Sequence, residues 1–157
     1  MTGKSRTVEE REECLRRLEE AAEAISRAGF VASMTAAGEL YSVFAVEDSP
    51  LFYAFTAKCE NGRVRVHAGI KGVRKALESL APERRVAVLE KILEVPARYS
   101  VSIGLDGDTL LVVLDGDGMN QRDFTLNAYA FTVRLAGWLS EQIERAGRGE
   151  GLEDFEY

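Results

Sequence analysis

The sequence predicts an α+β fold: a twisted antiparallel sheet of about six strands, an N-terminal helix, a split middle helix and a long C-terminal helix. Three observations carry this. Four short runs at 30–36, 40–46, 51–57 and 63–70 are rich in valine, phenylalanine, tyrosine and threonine, which suit a pleated, half-buried surface. Asn61-Gly62 and Asp106-Gly107 fall between such runs, and both dipeptides favour two-residue hairpin turns with positive φ. On either side of these runs the apolar spacing changes from two to 3.6, the helical period.

Residues 1–6 lack apolar periodicity and read as a frayed end. Thr7 followed by Glu10 is a capping box, after which Val8, Leu15, Leu18, Ala22 and Ile25 recur at helical spacing as far as Gly29. The acidic and arginine residues between them form a solvated face. In the meander, Arg63-Val64-Arg65-Val66-His67 alternates, whereas 51–57 is almost wholly apolar and predicts a strand covered on both faces. Val73, Ala76, Leu77 and Leu80 make a short helix. Pro82 opens a second one, with Val86, Leu89 and Leu93 or Ile92 as its buried face and Pro96 as its end. Residues 99–105 and 109–114 are the last two strands. From about Asp123 to Ala146 runs a helix whose apolar residues extend around much of its circumference, which predicts burial against more than one partner. The tail, 147–157, mixes acidic residues with Leu152, Phe155 and Tyr157 and reads as mobile.

With 157 residues, no internal repeat and no linker rich in proline or serine, the chain is read as one domain with flexible ends at 1–6 and 147–157. Its 46% apolar and 29% charged residues describe a globular protein rather than a disordered one. Apolar runs are too short to span a bilayer and the first residues are charged, so the expected location is the cytoplasm, with no membrane partner. Cys14 and Cys59 are too few for a disulfide framework or a zinc site; they read as two small, partly buried hydrophobes, with a bridge between them left open. Arginine far outnumbers lysine, a bias that goes with a GC-rich genome or a hot habitat.

Catalytic signatures are missing. His67 is the only histidine, which leaves no multi-histidine metal site, and it reads as a structural strand residue. Neither a nucleophile elbow, nor a phosphate loop, nor a dinucleotide fingerprint occurs. The run Asp115-Gly116-Asp117-Gly118-Met119-Asn120 begins like a calcium loop, but Met119 and Asn120 replace a ligand and the turn glycine, so it reads as a strand-to-helix turn capped by Asp or Asn. No catalytic residue, metal or cofactor is assigned. One stretch stands out by charge. From Lys58 to Lys91 there are nine basic residues against four acidic ones, in a chain of net charge −6. Within it, Arg63, Arg65, Lys71, Arg74 and Lys75 are candidates for binding an anion or an acidic partner, the last three because they flank a helix start. Nucleic acid fits poorly, since the whole chain is acidic and no aromatic stacking pair accompanies the patch.

The order of elements resembles the type III secretion chaperone-like fold, which includes the YbjN-like group. The resemblance covers roughly residues 7–146 and rests on element order and patterning, without a shared motif. It implies a sheet with helices packed on it, frequent homodimers, and partner proteins bound without cofactor or catalysis. A fourth meander strand and the split middle helix depart from that pattern. The expectation is a non-enzymatic protein-binding module, chaperone-like or regulatory, that is homodimeric and uses the sheet and the apolar excess of the last helix, with Phe131, Leu135 and Trp138 as interface candidates. The alternative is a protein or enzyme that binds a phosphorylated or otherwise anionic small molecule near Lys71.

Overall fold

The computed structural model describes residues 2–116 and 120–157. Four helices and six strands follow one another: α1 (Thr2–Arg27), β1 (Ala32–Met34), β2 (Leu40–Ala45), β3 (Phe52–Glu60), β4 (Arg63–Lys71), α2 (Val73–Glu78), α3 (Pro82–Arg98), β5 (Ser102–Asp106), β6 (Thr109–Asp115) and α4 (Gln121–Gly147). All six strands form one sheet in the order β1-β2-β3-β4-β6-β5, and every neighbouring pair is antiparallel. The α+β class and the antiparallel sheet therefore stand as the sequence predicted. Asn61 and Gly62 both take positive φ, 53° and 77°, so the hairpin dipeptide does what its type requires.

Helices cover one face of this sheet. That face carries Leu40 and Ser42 from β2, Tyr53, Phe55 and Ala57 from β3, Val64, Val66, Ala68 and Ile70 from β4, and Leu110 and Val112 from β6, all buried. Two hydroxyl pairs fix α4 on it. Thr132 gives its proton to the Ala128 carbonyl, so the Tyr53 hydroxyl is the donor in the 2.7 Å contact with Thr132 Oγ1. Ser42 likewise donates to the Val31 carbonyl and accepts from Tyr129 at 2.8 Å. Burial pushes both tyrosine pKa values above their ordinary value. The rings of Phe30, Phe55 and Tyr53 meet the Tyr129 ring edge-on, the arrangement that the aromatic quadrupole favours.

Several expectations need correction. The helix α1 begins at Thr2, so Thr7 is not its cap, and Val8 is 53% exposed while Cys14 joins Leu18, Ala22 and Ile25 in the core. Cys14 is there because it is bonded to Cys59 on the helix-covered side of β3; the two cysteines form a disulfide and are not separate hydrophobes. Strand β3 is not covered on both faces. Its burial alternates, with Phe52, Ala54 and Thr56 facing away from the helices.

The helix α3 runs through Pro96 to Arg98, because a proline in the last turn forfeits only one backbone bond and its neighbours keep helical geometry. It buries Val88, Ile92 and Val95, so of the predicted stripe Ile92 and the partly buried Leu89 face the core while Val86 and Leu93 stay outside, 51% and 66% exposed. Finally, the tail is not loose. Phe155 is 3% exposed, held among Tyr99, Phe131 and Trp138.

Candidate functional site

The basic residues singled out by charge do not form one site. Along β4 the side chains of Arg63, Arg65, His67 and Lys71 share the face turned away from the helices, with Gly69 among them. Arg65 and Lys71 are six residues apart on an extended strand, about 20 Å. Arg65 pairs with Asp115 at 3.4 Å and Glu60 at 3.7 Å, and Lys58 pairs with Glu60 at 3.1 Å. Lys58, followed by Arg65, holds the Glu60 carboxyl below its usual range. Arg63 lies at the same end, beside the Asn61-Gly62 turn. Mixed charge at this end leaves no strong positive field.

At the other end, Lys71, Arg74 and Lys75 surround the start of α2, where unpaired backbone amides suit an anion. Here the chain supplies that anion itself. The Asp108 carbonyl accepts from the amides of Gly72 and Val73, both at 3.1 Å, and its carboxylate accepts from the Lys75 amide at 2.9 Å. Arg74 meanwhile donates to the Gly107 carbonyl at 2.7 Å. The turn between β5 and β6 thus fills the site expected for a ligand. Sequence reasoning missed Asp108 because it lies far along the chain and arrives only when β6 pairs with β4.

The apolar excess of α4 is also used internally. Phe131 and Leu135 are 5% and 1% exposed, and Trp138 is half-buried, so none of the three interface candidates is an open contact residue. Phe131 and Trp138 form, with Tyr99, the floor of a groove between α3 and α4 that receives the tail. A depression of about 290 Å³ between the Pro50 turn, α2 and α4 is lined by Leu51, Leu80 and Ile143 with Asp48 and Glu144, and carries no basic group to match an anion.

What remains open is the second face of the sheet. Register aligns Tyr41, Thr56, His67, Val113 and Ser102 in one row across it, and Val43, Ala54, Gly69, Leu111 and Gly104 in the next. None of these residues is buried, and Tyr41, Phe52 and Leu111 are 45%, 41% and 36% exposed. Leu111 stands between Gly69 and Gly104 on the adjacent strands; the space over Gly69 is closed by the Thr109 methyl, 3.1 Å from where a Cβ would sit, whereas Gly104 has nothing within 4 Å and forms a dimple beside the projecting leucine. The alternation at 63–67 signalled this face, but the covering expected for 51–57 hid its extent. Of the calcium-like run, Asp117, Gly118 and Met119 lie outside the described residues, while Asn120 caps α4 by accepting from the amides of Arg122 and Asp123. Asp106 lies beside Thr109 at one end of β6 and Asp115 at the other, so the aspartates of the two turns are apart. Comparison with protein-family models, with curated proteins and with solved structures returns no match.

Proposed function

We propose that this chain is a non-enzymatic protein-binding module, chaperone-like or regulatory, whose first partner is a second copy of itself seated on the open sheet face. The single observation that carries the reading is that face: two rows, one mixed and one of Val43, Ala54 and Leu111 with two glycines, in which no residue is buried. Strands of 3 to 9 residues set about 4.8 Å apart present roughly 600 Å² in projection, somewhat below the ~800 Å² that each partner of a stable complex covers. The face is also self-complementary. A two-fold-related copy sets the Leu111 projection of one protomer over the Gly104 dimple of the other, which is what an isologous contact requires. Charge does not oppose this, since Lys58, Arg63, Arg65 and Lys71 are interspersed with Glu60, Asp106 and Asp115.

The element order shared with the type III secretion chaperone-like fold supports the same class. The anionic-ligand reading loses its support once Asp108 occupies the start of α2. A cytoplasmic home fits the Cys14–Cys59 bond where intracellular disulfides persist, as in hyperthermophiles, which is also a habitat that the arginine excess suggests.

Light scattering on the purified chain tests the contact. A side chain at Gly104 meets nothing within 4 Å inside one protomer, so Gly104→Val leaves the fold intact while filling the dimple. Wild type is expected as a dimer and both Gly104→Val and Leu111→Asp as monomers with unchanged unfolding midpoints. A wild type that stays monomeric at ~1 mM, or a dimer indifferent to both changes, rejects the reading.

A further inference from the structure

The tail after α4 is held as a ligand is held. It has no helix or strand of its own, and its backbone groups are met by side chains of the groove. Arg84 donates to the carbonyls of Gly149 at 2.9 Å and Glu150 at 3.2 Å, and Arg145 Nε donates to that of Gly151 at 2.7 Å. Trp138 Nε1 donates to the Glu153 carbonyl at 3.1 Å, and Gln142 Oε1 accepts from the Glu153 amide at 2.7 Å. The Tyr99 hydroxyl accepts from the Tyr157 amide at 3.0 Å.

Side chains complete the match in both charge and shape. Glu153 pairs with Arg145 at 2.8 Å, Asp154 pairs with Lys91, and the Tyr157 ring lies under the Arg134 guanidinium at 5.9 Å. Between these charges Phe155 enters an aromatic socket of Tyr99, Phe131 and Trp138. One group is left over. Gln142 is fully buried, its orientation fixed by the bond that its Oε1 accepts, and its Nε2 has no partner. A buried donor without an acceptor costs free energy, so the resident tail does not exhaust what the groove offers.

We propose that the α3–α4 groove is an exchangeable peptide site for an extended segment with acidic residues bracketing a phenylalanine, presented by a partner protein. The chain's own tail is the resident occupant, and the partner's segment displaces it. The chemistry of recognition is on the groove: an aromatic socket, the basic side chains of Lys91, Arg145 and Arg134 around it, and Gln142, whose Oε1 takes a backbone amide of the segment while its buried Nε2 has no acceptor. The hinge has the freedom exchange requires, since Gly147, Gly149 and Gly151 alternate there and Gly149 has φ 73°. Because a tethered tail competes at an effective concentration in the millimolar range, a free peptide binds weakly unless it is better matched or the tail is weakened. This site is distant in kind from the open sheet face and does not rest on dimerisation through it.

The test uses the full chain. A fluorescein-labelled peptide with the sequence of residues 149–157 is titrated with wild type, with Phe155→Ala and with Asp154→Lys, followed by fluorescence anisotropy. Loss of the ring, or repulsion by Lys91, loosens the resident tail by two unrelated routes, so one variant decides if the other folds poorly. Each loosened chain is expected to bind the peptide at least about tenfold more tightly than wild type does, and a peptide carrying Phe155→Ala to bind at least about tenfold more weakly. Equal affinity for wild type and loosened chains, or no binding by any of them, overturns the proposal. So does self-association that survives Gly104→Val but disappears with Phe155→Ala, which would assign the groove to tail exchange between copies.

Discussion

Removing the Cys14–Cys59 bond is expected to have a large effect on stability. The bond joins α1 to β3 across a sequence separation of 45 residues. In the chain-entropy description, closing a loop of that length removes about 13 cal/mol/K from the unfolded ensemble, or about 4 kcal/mol at 25 °C. For a domain of this size each kcal/mol shifts the midpoint by about 2–4 °C, so reduction should lower Tm by roughly 8–16 °C. The assay is thermal unfolding followed by circular dichroism, with and without a phosphine reductant, on wild type and on Cys14→Ala/Cys59→Ala. Reduced wild type and the double variant are expected to agree within about 3 °C, and the reductant to leave the double variant unchanged. Thiol titration that finds two free cysteines in the untreated protein would refute the bond. An intact bond whose removal shifts Tm by less than about 2 °C would refute the entropy argument, leaving α1 associated with the sheet in the unfolded chain.

Three further outcomes follow from buried contacts and the tail. Thr132→Val leaves the Tyr53 hydroxyl buried without an acceptor and should cost about 1–3 kcal/mol in urea unfolding, whereas Tyr53→Phe removes the unpaired group itself and should cost less; equal losses would contradict the donor assignment. Ile92→Ala, on the inward stripe of α3, should destabilise by about 2–5 kcal/mol, while Leu93→Ala, 66% exposed, should stay within about 0.5 kcal/mol. If the two change places, α3 is rotated from its described orientation. Lys91 holds the Asp154 carboxyl below its ordinary range, so this contact is fully present above the unfolded carboxylate pKa of about 3.9 and is lost as pH falls through the lower folded value. Trp138 fluorescence should therefore change as the pH falls below about 4, and Asp154→Asn should diminish that change; identical profiles would count against the ion pair.

The parts of the fold that were legible in the sequence are those decided by neighbours along the chain. Asn61-Gly62 specifies its hairpin by backbone sterics alone, and the wide apolar surface of α4 follows from spacing within one helix. What was misread depended on distant residues. Two apolar stripes on α3 fit the helical period equally well, and only the position of α4 selects Val88, Ile92 and Val95. The glycines and acids of the tail suggest mobility until Phe155 meets the socket formed by Tyr99, Phe131 and Trp138. Lys71, Arg74 and Lys75 suggest an anion at the start of α2, where the backbone amides are instead met by Asp108, brought in by strand pairing. Cys14 and Cys59 meet only because α1 lies along the sheet at the height where β3 turns into β4.

The order of strands has a kinetic consequence. Strands β1 to β4 close by successive hairpins, and β5 with β6 by another, so each ribbon assembles from contacts short in sequence. They are joined only where β4 meets β6, from Lys71 opposite Thr109 to Arg65 opposite Asp115, after the whole of α2 and α3 has been looped out. Contacts of that span are entropically expensive and form late. Zipping this seam is the step that turns two marginal ribbons into one cooperative sheet, and amides along it are expected to gain protection last in pulsed hydrogen exchange during refolding.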